Sequence, residues 1–206
     1  MITNPQIEQY MQDLLPARDE VLAEIEAYAK EHKVPIVGPA VGRLLTVLVK
    51  VSGARRIFEL GSAIGYSTIW LARAAGEGAE IHYSDGSAQN AERARGYFER
   101  AGVADRIQIH VGDALTALRS VPGEFDLIFN DVDKDGYPAV LEAVPSRIRR
   151  GGLLLADNTL WSARVLDPKE KTDHAVRLFN ERLFASPDFY ATQLPLRDGV
   201  SVAIRL

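Results

Sequence analysis

Apolar and polar positions along the chain change texture about a quarter of the way in. Through ARDEVLAEIEAYAKEH, residues Val21, Leu22, Ile25 and Tyr28 recur at helical spacing and predict a helix with one buried face. Ahead of it, Asn4-Pro5 reads as the cap and first-turn proline of an earlier helix, which Pro16 separates from the second. Val34-Pro35-Ile36-Val37-Gly38-Pro39 holds two prolines and a glycine and predicts a loop, after which AVGRLLTVLVKVS is helical again. From Arg56 onward, short apolar runs alternate with amphipathic stretches: RIFELG then IGYSTIWLARAAG, EIHYSD then AQNAERARGYFERAG, RIQIHVGD then ALTALRSV, followed by FDLIFND and GLLLADN. Such alternation predicts βα units feeding a parallel sheet. LIF and LLLA are apolar at consecutive positions, as strands covered on both faces must be. FYATQLPL and VSVAIRL flank Arg197-Asp198-Gly199 and predict a closing hairpin, hence an antiparallel last strand. The expected fold is one doubly wound, Rossmann-like α/β domain over residues 1–206. Its mostly parallel seven-stranded sheet spans 56–206, behind a helical extension over 1–51.

Asp131 to Glu142, DVDKDGYPAVLE, satisfies the calcium-loop pattern of an EF-hand in full. The preceding FDLIFN is strand-like where an EF-hand needs a helix, Pro138 lacks a donor at the eighth place, and the chain has no second copy. The carboxylates therefore belong to a strand end and to other chemistry.

Composition narrows the choices. At 206 residues the chain fits one sizeable domain, and 47% hydrophobic with 25% charged residues is ordinary for a globular protein. The net charge of −4 gives no global pull toward nucleic acid or anionic membranes, and the absence of cysteine excludes disulfides, thiolate metal sites and cysteine nucleophiles. MITNPQIEQYMQDLL has no basic segment followed by an apolar core, and no apolar run approaches the ~18 residues of a membrane span, so the expected location is cytoplasmic.

In an open α/β sheet, ligands bind outside the carboxyl ends of the strands. Here those ends carry Glu59–Gly61, Asp85, Gly112-Asp113, Asp131 to Asp135 and Asp157-Asn158. One or two such acids would serve as helix caps, but five in succession point to a shared site. ELGSAIGYS places its glycines as G-x-x-x-G, not as the G-x-G-x-x-G of pyrophosphate sites. Asp85 suits a ribose diol, and Gly112-Asp113-Ala114 an adenine edge. A nucleoside without phosphates, carrying a cationic sulfonium and an amino group, suits this acidic rim, which points to S-adenosylmethionine. Asp131, Asp157 and Asn158 bring two carboxylates and an amide oxygen together, hard donors for magnesium, manganese or calcium and unsuited to zinc. Lys134, one turn beyond Asp131, can face the same pocket.

FELGSAIGYS, FNDVDKDGY, LLLADNTLW and RDGVSVAIRL resemble the cation-dependent O-methyltransferase family, which includes the caffeoyl-coenzyme A and catechol O-methyltransferases. The resemblance runs from about Ile36 to the C-terminus. It implies a divalent cation, magnesium first, on Asp131, Asp157 and Asn158, with Lys134 taking the substrate hydroxyl proton. It also implies contacts to S-adenosylmethionine from Glu59, Gly61, Ser67, Asp85, Gly86, Asp113, Ala114, Asp131 and Asp133, and from Val37 in the loop before the sheet. The chain departs from the family at Val37, where plant members offer a Thr, and at Ser62-Ala63-Ile64, where a Thr-bearing sequence is common. The plant insertion loop for coenzyme A thioesters is not recognisable. The expected partners are a small acceptor with vicinal hydroxyls, such as a catechol, and a second copy of the chain in a homodimer. Three rivals stay open: a transfer RNA wobble-uridine methyltransferase on the same scaffold, a nicotinamide-dependent oxidoreductase, and a cofactor-binding protein without turnover. The acidic balance disfavours the first, and the missing G-x-G-x-x-G the second.

Overall fold

The computed structural model describes residues 4–206, so the first three residues of the expected 1–51 extension lie outside the described residues. Helix α1 (Pro5–Asp13) is capped by the Asn4 side chain, which accepts from the Gln6 amide at 2.9 Å. Helix α2 (Glu20–His32) is capped by Asp19 and stops where Lys33 turns left-handed. Helix α3 (Gly38–Ser52) begins inside the stretch expected to be a loop. Pro39 falls in its first turn, where the missing N–H would have no helical partner anyway, and so proline starts this helix instead of preventing it.

Seven strands follow: β1 (Arg56–Leu60), β2 (Glu80–Asp85), β3 (Ile107–Val111), β4 (Phe125–Asn130), β5 (Ile148–Ala156), β6 (Phe189–Leu194) and β7 (Val200–Arg205). Five helices join them: α4 (Tyr66–Ala75), α5 (Ala88–Arg100), α6 (Ala114–Ser120), α7 (Tyr137–Ala143) and α8 (Lys171–Ala185). The sheet order is β3-β2-β1-β4-β5-β7-β6. All pairings are parallel except those of β7, which runs antiparallel to both β5 and β6, as the hairpin pattern predicts.

Alternate residues of each central strand feed opposite layers. Ile57, Leu127 and Leu153 face α2 to α5, whereas Phe58, Ile128 and Leu154 face α6 to α8. Each such buried side chain contributes about 1.5–3 kcal/mol, and together they hold the strand ends rigidly in line. After β1 the chain builds outward through β2 and β3, then returns to the other side of β1 for β4. This reversal opens a crevice at the carboxyl ends of β1 and β4, the usual ligand position in such sheets.

The segment 131–142 is no calcium loop. A strand enters it, Pro138 lies in the first turn of α7, and two of its acids are ion-paired to α8 or the start of it: Asp135 to Lys171 at 3.1 Å and Glu142 to Arg182 at 3.1 Å.

Candidate active site

A cavity of about 1170 Å³ occupies the crevice, and its walls come from the carboxyl ends of β1 to β5. Gly61 lets the wall close. A Cβ there would lie 2.5 Å from the Asp131 carbonyl oxygen, and the residue sits at φ 81°, so the end of β1 rests directly on the backbone leaving β4.

On the β1–β3 side the cavity-lining acids Asp85 and Asp113 are engaged by the chain itself. Asp85 Oδ2 accepts from the Ala63 amide at 2.9 Å, and Oδ1 accepts from the Ser87 amide at 2.8 Å and Asn90 Nδ2 at 3.0 Å. Three of its lone-pair positions are thus filled, which ties the glycine loop to β2 and leaves Oδ2 one direction open to a ligand. Asp113 caps α6, accepting from the Thr116 amide at 2.7 Å and the Thr116 hydroxyl at 2.6 Å. Those bonds hold its carboxyl below the usual range. Glu59 is fully buried beneath the loop. Its Oε2 accepts from the Thr68 hydroxyl while Oε1 has no protein partner. Desolvation pushes its pKa up to about 7, against the opposing pull of the nearby Ser67, Thr68 and Ser62 hydroxyls.

On the β4–β5 side two acids that line the cavity crowd each other. Burial, followed by repulsion from Asp131, raises the Asp157 carboxyl well above the ordinary range, and Asp131 is raised by burial against the attraction of Lys134. Asp157 is 3% exposed and its Oδ1 has no partner. Lys134 Nζ donates to Asp131 Oδ1 at 2.8 Å, the Val132 carbonyl at 3.2 Å and the Tyr137 hydroxyl at 3.0 Å. Tyr137 in turn donates to the Asp157 carbonyl at 2.7 Å, so the lysine, the tyrosine and the end of β5 form one chain of contacts. Asn158 adopts a left-handed φ of 53°, which swings its side chain toward Asp157; Nδ2 donates to Asp157 Oδ2 at 3.4 Å and Oδ1 has no protein partner.

The cavity gathers Gly61, Asp85, Gly86, Asp113, Ala114, Asp131, Asp133, Lys134, Asp157 and Asn158. Glu59 and Ser67 lie beneath the loop and do not line it. Val37 does not reach it either: its side chain is buried in the core, its carbonyl accepts from Arg197, and Val34, Pro35 and Ile36 form the wall instead. Asn90, Leu115 and Trp161 also line the cavity and follow no strand-end pattern. Only Asn90 leaves a sequence trace, lying one turn into the helix after Asp85. Trp161 stands with its ring 5.8 Å from Lys134 Nζ and its Nε1 donating to Asp173 at 2.9 Å.

A model of the O-methyltransferase family matches residues 14–206. The chain belongs to the O-methyltransferase family. Among its relatives, a catechol O-methyltransferase of Niastella koreensis is 33% identical over 212 residues, covering 96% of this chain and 96% of the relative. A catechol O-methyltransferase of Mycobacterium tuberculosis is 33% identical over 172 residues, covering 82% of this chain and 78% of the relative. The crystal structure of an O-methyltransferase from Bacillus cereus in complex with SAH superimposes with a TM-score of 0.90 at 33% identity, covering 100% of both chains.

The family implies a divalent cation, and the donor set fits one. Among the described residues no three His, Cys, Asp or Glu side chains form a metal cluster. Two carboxylates and an amide converge instead, with Asp157 Oδ1 buried and unpartnered and Asn158 Oδ1 unengaged. A half-buried and a buried carboxylate that repel each other and share one cavity lining with an amide oxygen match a hard cation in chemistry and charge.

Proposed function

We propose that the protein transfers a methyl group from S-adenosylmethionine to a hydroxyl of a small catechol-like or phenolic acceptor, with help from a divalent cation, magnesium foremost. The observation that carries this reading is the pair of half-buried Asp131 and buried Asp157 beside Lys134, at the crevice of a fold whose family is O-methyltransferase. Asp131, Asp157 and Asn158 would hold the cation. When bound, it supplies counter-charge to the acceptor oxygen, whose ordinary phenolic pKa near ~10 leaves little anion at neutral pH. S-adenosylmethionine supplies the activated methyl group.

The chain's own residues do the rest. Lys134 Nζ, placed by Asp131 and Tyr137, would take the acceptor proton after it has released one of its own to solvent and turned the freed lone pair toward the acceptor. Asp85 offers the open lone pair of Oδ2 to a ribose hydroxyl, and Gly86, with open space where a Cβ would stand, lets the cofactor approach the backbone closely. Trp161 screens one side of Lys134 from water. Holding both reactants in line converts a bimolecular encounter into an internal step, a large share of the acceleration expected here. The same reading takes the protein as a homodimer, for which the exposed Ile7, Tyr10 and Leu14 of α1 offer an apolar surface. Among the described residues no helix is long and apolar enough to cross a membrane.

The test is direct. Incubation with S-adenosylmethionine, magnesium and catechol, followed by mass spectrometry, should yield singly methylated catechol and equimolar S-adenosylhomocysteine. Absence of product across a panel of catechols and phenols would remove this reading.

A further inference from the structure

Helix α1 is inside out. Its apolar residues Ile7, Tyr10 and Leu14 are 55%, 62% and 63% exposed, while polar Glu8 and Gln12, one turn apart, form its more buried face. An ordinary surface helix does the reverse. What that polar face looks onto is a second cavity of about 530 Å³, within the size range of small-ligand sites. Its far wall is Ser162, Leu196, Arg197 and Asp198. Asn158 lines both cavities, so the second one opens where the proposed methyl transfer would occur.

The far wall is built, not incidental. Asn158, Ser162 and Arg197 all hold left-handed backbone, at φ 53°, 50° and 51°, a conformation that costs energy for residues with side chains. Cross-links over-determine it. Asp198 accepts from the Ser162 amide through its side chain and from the Leu160 amide at 2.8 Å through its carbonyl, and the Thr159 amide donates to the Gly199 carbonyl at 3.0 Å. Arg197 is pinned by donating to the carbonyls of Ile36, at 3.0 Å, and Val37. Facing this wall, Gln12 presents an amide that makes no hydrogen bond within the protein, and Gln9 stands beside it.

We propose that this cleft is a subsite for the part of the acceptor remote from the reacting hydroxyl, and that it takes an uncharged, hydrogen-bonding extension such as a glycosyl group. The inference rests on the methyl-transfer reading above for its location. The lining amides both donate and accept, which suits hydroxyls. Charge does not favour a phosphate-bearing extension, because among the described residues Arg197 is the one cation in this lining, Asp198 stands beside it, and its Nη1 already donates to two carbonyls. A bare catechol would leave the polar cleft to solvent and gain nothing from it.

Calorimetry on the full chain, with magnesium and S-adenosylhomocysteine present, tests the subsite independently of turnover. Three probes sharing one catechol head suffice: catechol, 3,4-dihydroxyphenylethyl glucoside, and 3,4-dihydroxyphenylethyl phosphate. The glucoside should bind at least about tenfold more tightly than catechol, and the phosphate should not share that gain. In Gln9→Leu/Gln12→Leu, two solvent-accessible changes, the ratio of glucoside to catechol affinity should fall by about tenfold. Equal affinities for catechol and glucoside, or a ratio unmoved in the variant, would overturn the subsite. A phosphate that binds as tightly as the glucoside would overturn its chemistry. If the glucoside binds as expected but no acceptor is methylated, the subsite stands and the methyl-transfer reading fails.

Discussion

At the ends of β2 and β3, Asp85 and Asp113 commit their oxygens to the chain: one ties down the glycine loop, the other caps α6. At the ends of β4 and β5, Asp131 and Asp157 are crowded and raised in pKa, and Asp157 keeps an oxygen with no partner at all. The two halves share a motif, an acid closing a parallel strand, yet hydrogen-bond satisfaction separates them. A satisfied acid is architecture that can lend a lone pair to a neutral hydroxyl. Two acids raised side by side, one of them with an unpartnered oxygen, hold repulsion that a divalent cation would relieve, which is why the proposed chemistry lies on the β4–β5 side.

The largest effect should come from breaking the unsatisfied side. Asp157→Ala should lower methyl transfer by about a hundred- to a thousandfold, as loss of a transition-state electrostatic contact typically does, while calorimetric affinity for S-adenosylmethionine stays within about threefold. A comparable loss of both would mean that the two sides are not separable.

Breaking the satisfied side should give the converse. Asp85→Ala removes an acceptor from a ribose hydroxyl and unties Ala63, Ser87 and Asn90, so cofactor affinity should weaken by at least about tenfold. Unchanged affinity by calorimetry would remove the ribose assignment.

Tyr137→Phe probes the linkage between Lys134 and the end of β5 without touching either acid. Turnover should fall by roughly five- to tenfold with KM for the acceptor little changed, because a lysine partner is lost but no ligand contact. A rise in KM alone would assign Tyr137 to acceptor binding instead.

The smallest effect is on stability, and its sign differs between the halves. Asp157, with a folded-state pKa above its ordinary 3.8, contributes stability that is present below that value and lost as pH rises toward the raised one. Asp113 is held low by its bonds from Thr116, so its contribution is present above 3.8 and lost as pH falls. The Tm gap between magnesium-loaded and chelated protein should therefore widen with rising pH between about 4 and 7, by about 3 °C for each kcal/mol relieved. A gap independent of pH would contradict the crowding.

Much of this site could be read from residue order because its chemistry sits where strands stop. Asp85, Asp131, Asp157 and Asn158 each end an apolar run, and the reversal of strand order brings those ends together. What escaped the sequence depends on distant contacts. Val37 was expected at the cavity, but Arg197, 160 positions later, binds its carbonyl while its side chain enters the core. Pro39 was expected to forbid a helix and instead begins one, since the same residue type serves both ends of that rule. The outward apolar stripe of α1 was equally invisible, because periodicity shows that a helix has two faces and not which one meets the protein.

The central claim is that Asp131 and Asp157 are crowded because a divalent cation belongs between them. Calorimetric titration of the chelator-treated protein with magnesium at neutral pH tests this most directly, beside Asp157→Asn, which keeps shape and removes charge. The account predicts one saturable site per chain in the wild type and at least about a hundredfold weaker binding in the variant. Absence of a saturable site, or equal affinity in the two proteins, would contradict it.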